Sequence, residues 1–261
     1  MIGIFDSGVG GLTVVKEFKR QFPNLPFIYL GDNARMPYGT RGADVIRNYA
    51  SEDVDFLIGR GATIIIVACN TASAHAGDYL KEKYPHIKFF EVIGPASQAA
   101  AFSSAGKIGV IGTAGTIASG AYEKQLKSIR PEAEIFNQPC PLFVSLVELD
   151  WADKPETASI AEEYLKTLNA SEIDTLVMGC THYPHLRDVI QEKIGRHVRL
   201  IDPAEEVIRS LAEFLLDQNE EFLSKISQDK EQYFATDTGS HFQDVAEKWL
   251  EQRIMVQKAE W

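Results

Sequence analysis

Two cysteines stand at equivalent places in two similar stretches of the sequence. Cys69 follows the β-branched run Thr63–Ala68, and Cys180 follows the apolar run Thr175–Gly179. Such runs are typical of strands that are buried on both faces of a parallel sheet. A thiolate can take a proton from carbon and a thiol can give one back. Two cysteines on opposite sides of a ligand would therefore suit proton transfer at carbon.

Each cysteine is followed by polar residues of the types that begin a helix. Asn70 and Thr71 follow Cys69, and Thr181 follows Cys180. These residue types cap helix N-termini, where the electrostatic field favours a thiolate. We therefore expect both cysteines at the strand-to-helix edge of a sheet, with a lowered pKa, where α/β proteins bind ligands. The alternative for either one is simple core packing, since cysteine is often buried.

The elements around these cysteines are predicted to alternate between strand and helix. Predicted strands lie near residues 2–5, 27–30, 64–68, 88–93, 108–113, 134–136, 173–178, 198–201 and 233–235. Helical spacing of apolar residues fills most of the intervals, for example 119–129 and 204–216, and a final helix runs through Trp249. Repeated β-α-β units imply parallel sheets with right-handed crossovers.

The two halves of the chain resemble each other. Ile2–Ile4 matches Ile108–Val110, Ile93–Ala96 matches Ile201–Ala204, and the two cysteines are 111 positions apart. These ordered matches favour an internal duplication, although α/β proteins also reuse such short patterns by chance. The predicted fold is α/β, with two similar lobes of mainly parallel sheets related by a pseudo-twofold axis. The active site is expected in the cleft between the lobes.

Composition and charge restrict the classes of partner. The net charge of −11 over 261 residues argues against nucleic acid or an anionic membrane as the main partner. Backbone N–H groups at helix ends can still bind a small anion. An odd count of three cysteines favours reduced thiols. The start of the sequence shows no signal-peptide pattern, and we expect a cytoplasmic protein.

Other chemistries fit the sequence less well. The turn Gly8–Gly11 invites a dinucleotide-binding interpretation with Asp32 on the ribose, but the third glycine of that pattern would fall at Thr13. We prefer a glycine turn that gives a substrate close access to the backbone. Cys180, His182 and His185 do not complete a metal site. Cys140 is predicted to be a buried apolar residue, and we expect no metal and no cofactor.

Five motifs in order resemble the glutamate racemase family of the cofactor-independent aspartate/glutamate racemase superfamily. They are Phe5–Leu12, Pro37–Gly39, Ala68–Ala72, Gly112–Ile117 and Gly179–Pro184. The resemblance implies racemisation of glutamate by two bases, for the synthesis of peptidoglycan. It also implies a homodimer whose tail completes the first lobe, so that residues 1–95 and 205–261 form one lobe and residues 96–204 the other.

The resemblance also implies residue roles. Cys180 would act on L-glutamate and Cys69 on D-glutamate, with Asp6 assisting Cys69, and with His182 and Glu148 assisting Cys180. The implied substrate contacts are Asp6, Ser7, Tyr38, Gly39, Asn70, Thr71, Thr181 and His182. Small hydroxyls and backbone N–H groups of this kind could hold two carboxylates and stabilise a carbanionic transition state.

Three residues depart from the family pattern, and two other functions stay open. Ser145, Leu149 and His185 stand where the family commonly has proline, an acidic residue and leucine, which puts in doubt the local shape near Glu148 and the packing after Cys180. One alternative is an aspartate racemase, or a decarboxylase or isomerase of the superfamily. The other is a two-lobed protein that binds an amino acid without reacting with it.

Overall fold

The first half of the chain alternates strands and helices as the apolar pattern predicts. The structure is a computed structural model and describes residues 1–218 and 231–261. The first eight elements are β1 (Ile2–Asp6), α1 (Leu12–Gln21), β2 (Phe27–Gly31), α2 (Ala43–Gly59), β3 (Ile64–Val67), α3 (Asn70–Lys83), β4 (Lys88–Glu91) and α4 (Ile93–Ser103). Two short 3₁₀ turns, Asn33–Arg35 and Tyr38–Thr40, lie between β2 and α2.

The second half repeats this alternation, and the tail adds two strands. Its elements are β5 (Lys107–Gly112), α5 (Ala114–Ala118), α6 (Ala121–Ile129), β6 (Glu134–Pro139), α7 (Leu142–Glu148), α8 (Pro155–Ala170), β7 (Thr175–Gly179), α9 (Arg187–Ile194), β8 (Arg199–Ile201) and α10 (Pro203–Leu216). The described tail forms β9 (Gln232–Ala235), α11 (Ser240–Leu250) and β10 (Val256–Lys258). No helix in the described part of the chain is long and apolar enough to cross a membrane.

Two parallel sheets organise these elements. One has the strand order β10-β9-β2-β1-β3-β4 and the other has the order β6-β5-β7-β8. In the first sheet Ile4 lies opposite Tyr29 and Ile66, and in the second Val110 lies opposite Asn137 and Val177. The order β2-β1-β3-β4 of the first half recurs as β6-β5-β7-β8 in the second. The prediction of two similar α/β lobes is therefore confirmed.

The two halves exchange their last helices. Helix α10, from the second half, packs against α1 and the first sheet through Val207, Ile208 and Leu211, which are fully buried. Helix α4, from the first half, packs in the same way on the second sheet. Burying each large aliphatic side chain stabilises the fold by about 1.5–3 kcal/mol. Hydrophobic packing therefore ties the halves together at two places.

The predicted lobe limits fall within these exchanged helices. The limits at 95/96 and 204/205 lie inside α4 and α10. Part of the predicted first lobe, residues 219–230, lies outside the described residues. The division into lobes by residue number therefore stays a prediction.

Some predicted boundaries were wrong for identifiable reasons. The helix predicted over 119–129 begins at Ala121, because Gly120 adopts φ +66° and separates it from the short helix α5 that precedes it. Helix α4 begins at Ile93 rather than after Pro95, so β4 ends earlier than predicted. Strand β10 has only three residues, Val256–Lys258, and its sequence carries no apolar alternation.

Candidate active site

A narrow cavity of about 40 Å³ lies where strands β1 and β3 of the first sheet face β7 of the second. Nine of the eleven predicted site residues line it; its full lining is Ser7, Met36, Pro37, Tyr38, Gly39, Cys69, Asn70, Thr71, Thr113, Val144, Cys180, Thr181 and His182. Cys69 and Cys180 are 5% and 6% exposed. A substrate can therefore reach both thiols only if the walls of the cavity separate.

Cys69 stands at the N-terminus of α3, as predicted. Its sulfur accepts a hydrogen bond from the Ala72 N–H (3.4 Å) and donates one to Ser7 Oγ (3.5 Å). The expected lowering of its pKa is wrong, however. Burial, together with the charge of Asp6, raises the pKa of Cys69 to about 12, and the hydrogen bonds with Ser7 and Ala72 offset only part of this. Cys69 is therefore a thiol at neutral pH in this structure.

Asp6 is the last residue of β1 and lies behind the cavity wall. Its side chain is fully buried and accepts hydrogen bonds from the Gly8 N–H (3.0 Å) and from Thr181 Oγ1 (3.4 Å). Burial raises the pKa of Asp6 to about 6, although the charge of His182 and these hydrogen bonds act in the opposite direction. The bond to Thr181 connects the two halves of the chain directly beneath the cavity.

His182 links Cys180 to Glu148. Its Nδ1 lies 3.8 Å from the Cys180 sulfur, and its Nε2 lies 3.0 Å from Glu148 Oε1. Burial alone would lower the pKa of His182. The hydrogen bonds and charges of Cys180 and Glu148 outweigh burial and raise that pKa to about 10. His182 is therefore protonated at neutral pH, and it places a positive charge beside Cys180.

The expected helix N-terminus after Cys180 is absent. A 3₁₀ turn, Tyr183–Leu186, follows instead, and the α-helix begins only at Arg187. Pro184 within this turn explains the difference, because proline in an α-helix interior lacks the donor of the backbone hydrogen bond. The cation beside Cys180 is thus a side chain, His182, rather than the end of a helix.

The polar wall of the cavity contains neutral donors. Asn70 Oδ1 accepts a hydrogen bond from the Tyr122 hydroxyl (2.6 Å), while Asn70 Nδ2 is buried and has no partner in the described part of the chain. The hydroxyls of Thr71, Thr113 and Thr116 lie 3.0–3.1 Å from one another. No role was predicted for Thr113, Thr116 or Tyr122. The two threonines lay in a recognised motif, whereas Tyr122 gave no signal.

Two predicted site residues have their polar groups outside this cavity. The Tyr38 hydroxyl is bonded to Asp32 and Asp53 behind the cavity wall, so it does not point towards a substrate. Glu148 lines a neighbouring cavity and, within residues 1–218 and 231–261, contacts the site through His182, which agrees with its predicted supporting role. The departure at Leu149 leaves that contact in place, since this side chain is 62% exposed.

The competing chemistries find no support in the geometry. Asp32, the candidate ribose ligand, is fully buried and paired with Arg35. The His185 ring lies against Trp249, with 3.9 Å between ring centroids. Burial and nearby positive charge lower the pKa of His185 to about 4. Cys140 is fully buried, as predicted.

The glycine turn brings protein groups close together, and the expectation that it gives a substrate access to the backbone stays a prediction. A Cβ on Gly10 would lie 2.3 Å from Thr181 Oγ1 and 2.6 Å from His182 Nδ1. A Cβ on Gly11 would lie 2.4 Å from Asp6 Cβ. Glycine is required at position 10 because the two halves of the chain meet there at van der Waals distance, and at position 11 because the turn packs against Asp6.

Gly10→Ala is expected to displace His182 and Thr181 and to lower kcat/KM for the reaction of this site by about 100-fold, the effect of a misplacement near 1 Å. Gly59→Ala is the matched control, because a Cβ there meets nothing within 4 Å. Steady-state kinetics and thermal unfolding of both variants provide the measurement. Full activity of Gly10→Ala would show that the contact does not position His182.

Comparisons with known proteins agree with this geometry. The profile of the family described as Asp/Glu/hydantoin racemase matches residues 2–211. A glutamate racemase of Geobacter metallireducens is 46% identical over 251 residues, which cover 95% of this chain and 92% of that protein. The crystal structure of a glutamate racemase isoform from Bacillus anthracis superimposes with a TM-score of 0.92, at 37% identity, over 100% of this chain and 97% of that one. The crystal structure of glutamate racemase from Francisella tularensis in complex with D-glutamate superimposes with a TM-score of 0.90, at 34% identity, over 99% of this chain and 97% of that one.

Proposed function

Since the chain belongs to the Asp/Glu/hydantoin racemase family, we propose that it interconverts L- and D-glutamate by proton transfer between two cysteines, without a cofactor. The observation that carries this proposal is that Cys69 and Cys180 line one narrow cavity. Each has its own acid–base neighbour, Asp6 for Cys69 and His182 for Cys180. Relatives named glutamate racemase at 42–46% identity support the choice of substrate.

In the direction from L- to D-glutamate, the Cys180 thiolate removes the α-proton. The Cα–H bond breaks, an S–H bond forms, and the electron pair stays on Cα. The Cys69 thiol then protonates the opposite face and is left as a thiolate, so the site neither gains nor loses a proton. Cys69 enters this step as a thiol, consistent with its pKa of about 12. The protonated His182 stabilises negative charge on the Cys180 sulfur.

In the direction from D- to L-glutamate the two roles are exchanged. The Cys69 thiolate is then the base, assisted by Asp6, and Cys180 is the acid. Because Asp6 has a pKa of about 6, it can accept and release a proton near neutral pH. Asp6 is therefore suited to exchange a proton with Cys69 and so restore its protonation state between turnovers.

Neutral groups hold the substrate in this proposal. The free amide donor of Asn70 and the hydroxyls of Ser7, Thr71 and Thr113 face a cavity whose lining, among the described residues, contains no lysine or arginine. Fixed dipoles of this kind can stabilise the charge that develops on the substrate in the transition state. The closed cavity is narrow, which favours a substrate of amino-acid size.

The product is proposed to serve peptidoglycan synthesis, as the family resemblance implies. A homodimer and a cytoplasmic location stay predictions on the same basis. Size-exclusion chromatography with light scattering tests the first, and fractionation of the producing cell tests the second.

Incubation with L-glutamate in deuterated water is expected to give D-glutamate that carries one deuterium at Cα, without added cofactor or metal. The deuterium enters because the protonating thiol exchanges with solvent. Proton NMR follows the loss of the α-proton, and polarimetry follows the loss of optical activity. If the protein is inactive on glutamate but active on aspartate, the two-base mechanism stands and the proposed substrate is wrong. Binding of glutamate without any exchange would instead favour a two-lobed binding protein.

A further inference from the structure

A buried group of two carboxylates, one guanidinium and one phenol lies behind the cavity wall. Asp32 follows β2, Arg35 ends the first 3₁₀ turn, Tyr38 begins the second, and Asp53 lies on α2. Both aspartates are fully buried, and Tyr38 is 1% exposed. We refer to Asp32, Arg35, Tyr38 and Asp53 as the anchor cluster.

Arg35 connects the two carboxylates of the anchor cluster. It donates from Nε to Asp32 Oδ2 (2.6 Å) and from Nη2 to Asp53 Oδ1 (3.1 Å). Its guanidinium lies over the rings of Tyr49 (4.4 Å) and Trp261 (4.9 Å), so its charge is partly shielded from water.

Arg35 makes a third ion pair, with a residue near the surface. Arg35 Nη1 pairs with Glu52, whose side chain is 53% exposed. Water screens the charge of this half-exposed carboxylate more than it screens the charges of the buried aspartates. Inside the cluster, one buried positive charge therefore faces two carboxyl groups.

Counting protons around the Tyr38 hydroxyl distinguishes the two aspartates. Tyr38 Oη is within hydrogen-bond distance of Asp32 Oδ2 and lies 3.1 Å from Asp53 Oδ2. A phenol has one proton and can donate only one hydrogen bond. A proton on a carboxyl group would make the second contact between oxygens a full hydrogen bond.

That proton belongs on Asp53. Asp32 Oδ2 already accepts from Arg35 Nε and from Tyr38, as a charged oxygen does, whereas Asp32 Oδ1 has no partner among the described residues. Asp53 Oδ1 accepts from Arg35 as a carboxyl C=O can, which leaves Asp53 Oδ2 to donate to Tyr38. Burial raises the pKa of both aspartates, and only for Asp53 does it act together with the charge of the other aspartate to raise the pKa well above the usual range, in agreement with this assignment.

The anchor cluster holds one wall of the cavity. Tyr38 and Gly39 both line the cavity, next to Met36 and Pro37. On the other side this loop is pressed against the second half of the chain. A Cβ on Gly39 would lie 2.9 Å from Thr113 Cβ, and a Cβ on Gly115 would lie 2.7 Å from the Gly39 carbonyl oxygen. A shift of Tyr38 would therefore move both the wall and the contact between the halves.

We propose that Asp53 is protonated at neutral pH and acts as a positioning residue, which fixes the Met36–Gly39 wall of the substrate cavity through its hydrogen bond to Tyr38. The kinetic part of this inference rests on the proposed racemase function. The location of the proton does not, and it can be tested in the absence of any substrate.

Asp53→Asn is the test variant for the proton, because its amide can donate to Tyr38 and accept from Arg35 as a neutral carboxyl group does. We expect a Tm within about 2 °C of wild type and a kcat/KM for glutamate within about threefold. Asp53→Leu, which lacks both groups, and Asp32→Asn, which removes the charge, should lower Tm by about 5 °C or more. An Asp53→Asn variant as damaged as Asp53→Leu would overturn the assignment.

Carbon-13 NMR of protein labelled at aspartate carboxyl groups locates the proton directly. At pH 8, Asp6 and Asp202, each with a pKa of about 6, are ionised. We expect one remaining signal of a neutral carboxyl group, which Asp53→Asn removes. Absence of that signal, or its loss in Asp32→Asn alone, would contradict the proposal. This measurement stays decisive if the protein does not racemise glutamate.

Tyr38→Phe tests the positioning role, because the ring is retained and only the hydroxyl is lost. A displaced wall weakens binding in the ground state and the transition state alike, so KM for glutamate should rise about tenfold while kcat stays within about threefold. An unchanged KM, with Tyr38→Phe folded as judged by circular dichroism, would overturn the role. A purely structural role would lower Tm without separating KM from kcat.

Discussion

Cys69→Ser and Cys180→Ser are each expected to reduce racemisation of glutamate at least about 1,000-fold. Serine matches cysteine in size, but its hydroxyl is a far weaker acid, so it neither takes the α-proton at neutral pH nor returns it as readily. General acid–base catalysis by a single group contributes about 10²–10⁴-fold. Loss of either group interrupts the transfer in both directions. Circular dichroism of the reaction mixture measures the rate.

Deuterium exchange in these variants also tests which cysteine faces which enantiomer. In Cys180→Ser, Cys69 is still able to exchange the α-proton of D-glutamate without inverting it. In Cys69→Ser, Cys180 should do the same with L-glutamate only. The opposite pattern would reverse the assignment, and unchanged racemisation in either variant would refute the two-thiol mechanism. Cys140→Ala is the control, because this buried cysteine lies outside the cavity, and its kcat/KM should stay within about threefold of wild type.

His182→Asn is expected to lower kcat/KM for glutamate by about 100-fold or more. The imidazolium next to the Cys180 sulfur is lost, while an amide of similar size remains. Glu148→Gln should give a smaller loss of about tenfold, because it leaves the imidazole and removes only its partner. The two enantiomers have equal free energy in water, so kcat/KM must fall equally in both directions. Unequal losses would indicate a faulty assay rather than a property of the site.

The pair of His182 and Glu148 also affects the stability of the fold at alkaline pH. The pKa of His182 is about 10 in the folded chain, above its ordinary value of 6.5, because Cys180 and Glu148 outweigh the effect of burial. A raised pKa means that the protonated form stabilises the fold. This stabilisation is complete below about pH 6.5 and is lost as the pH rises towards 10. Glu148→Gln lowers the pKa of folded His182, so the alkaline fall in Tm should still begin near pH 6.5 but be smaller, and end at lower pH, than in wild type. Identical Tm profiles between pH 6 and 10 would contradict the coupling.

The positions of the two thiols could be predicted from sequence because local patterns determine them. The buried strand before Cys69 and the one before Cys180 are each visible in a few consecutive residues, and parallel sheets bring such strand ends to one edge. The similarity of the two halves followed from their repeat. These inferences need only the period of apolar residues and their spacing along the chain.

The electrostatics of the site could not be predicted, because they depend on groups distant in sequence. Burial of Cys69 beside Asp6 raises its pKa, where the sequence suggested a lower one. The hydroxyl of Tyr122 orients Asn70 from 52 residues away. The Tyr38 hydroxyl is turned away from the cavity towards Asp53, and no sequence motif around Asp53 in α2 indicates this contact. Depth of burial and pairing over long distances are properties of the folded chain.

The exchange of helices α4 and α10 also bears on how the protein is made. The apolar face of α1, with Leu12, Val15 and Phe18, is covered by α10, which begins at Pro203. A ribosome adding 5–20 residues per second needs about 10 to 40 s to synthesise the intervening chain. During that time the emerging first half has no helix of its own to cover this face. Completion of the first hydrophobic core therefore waits for nearly the whole of the second half to be translated.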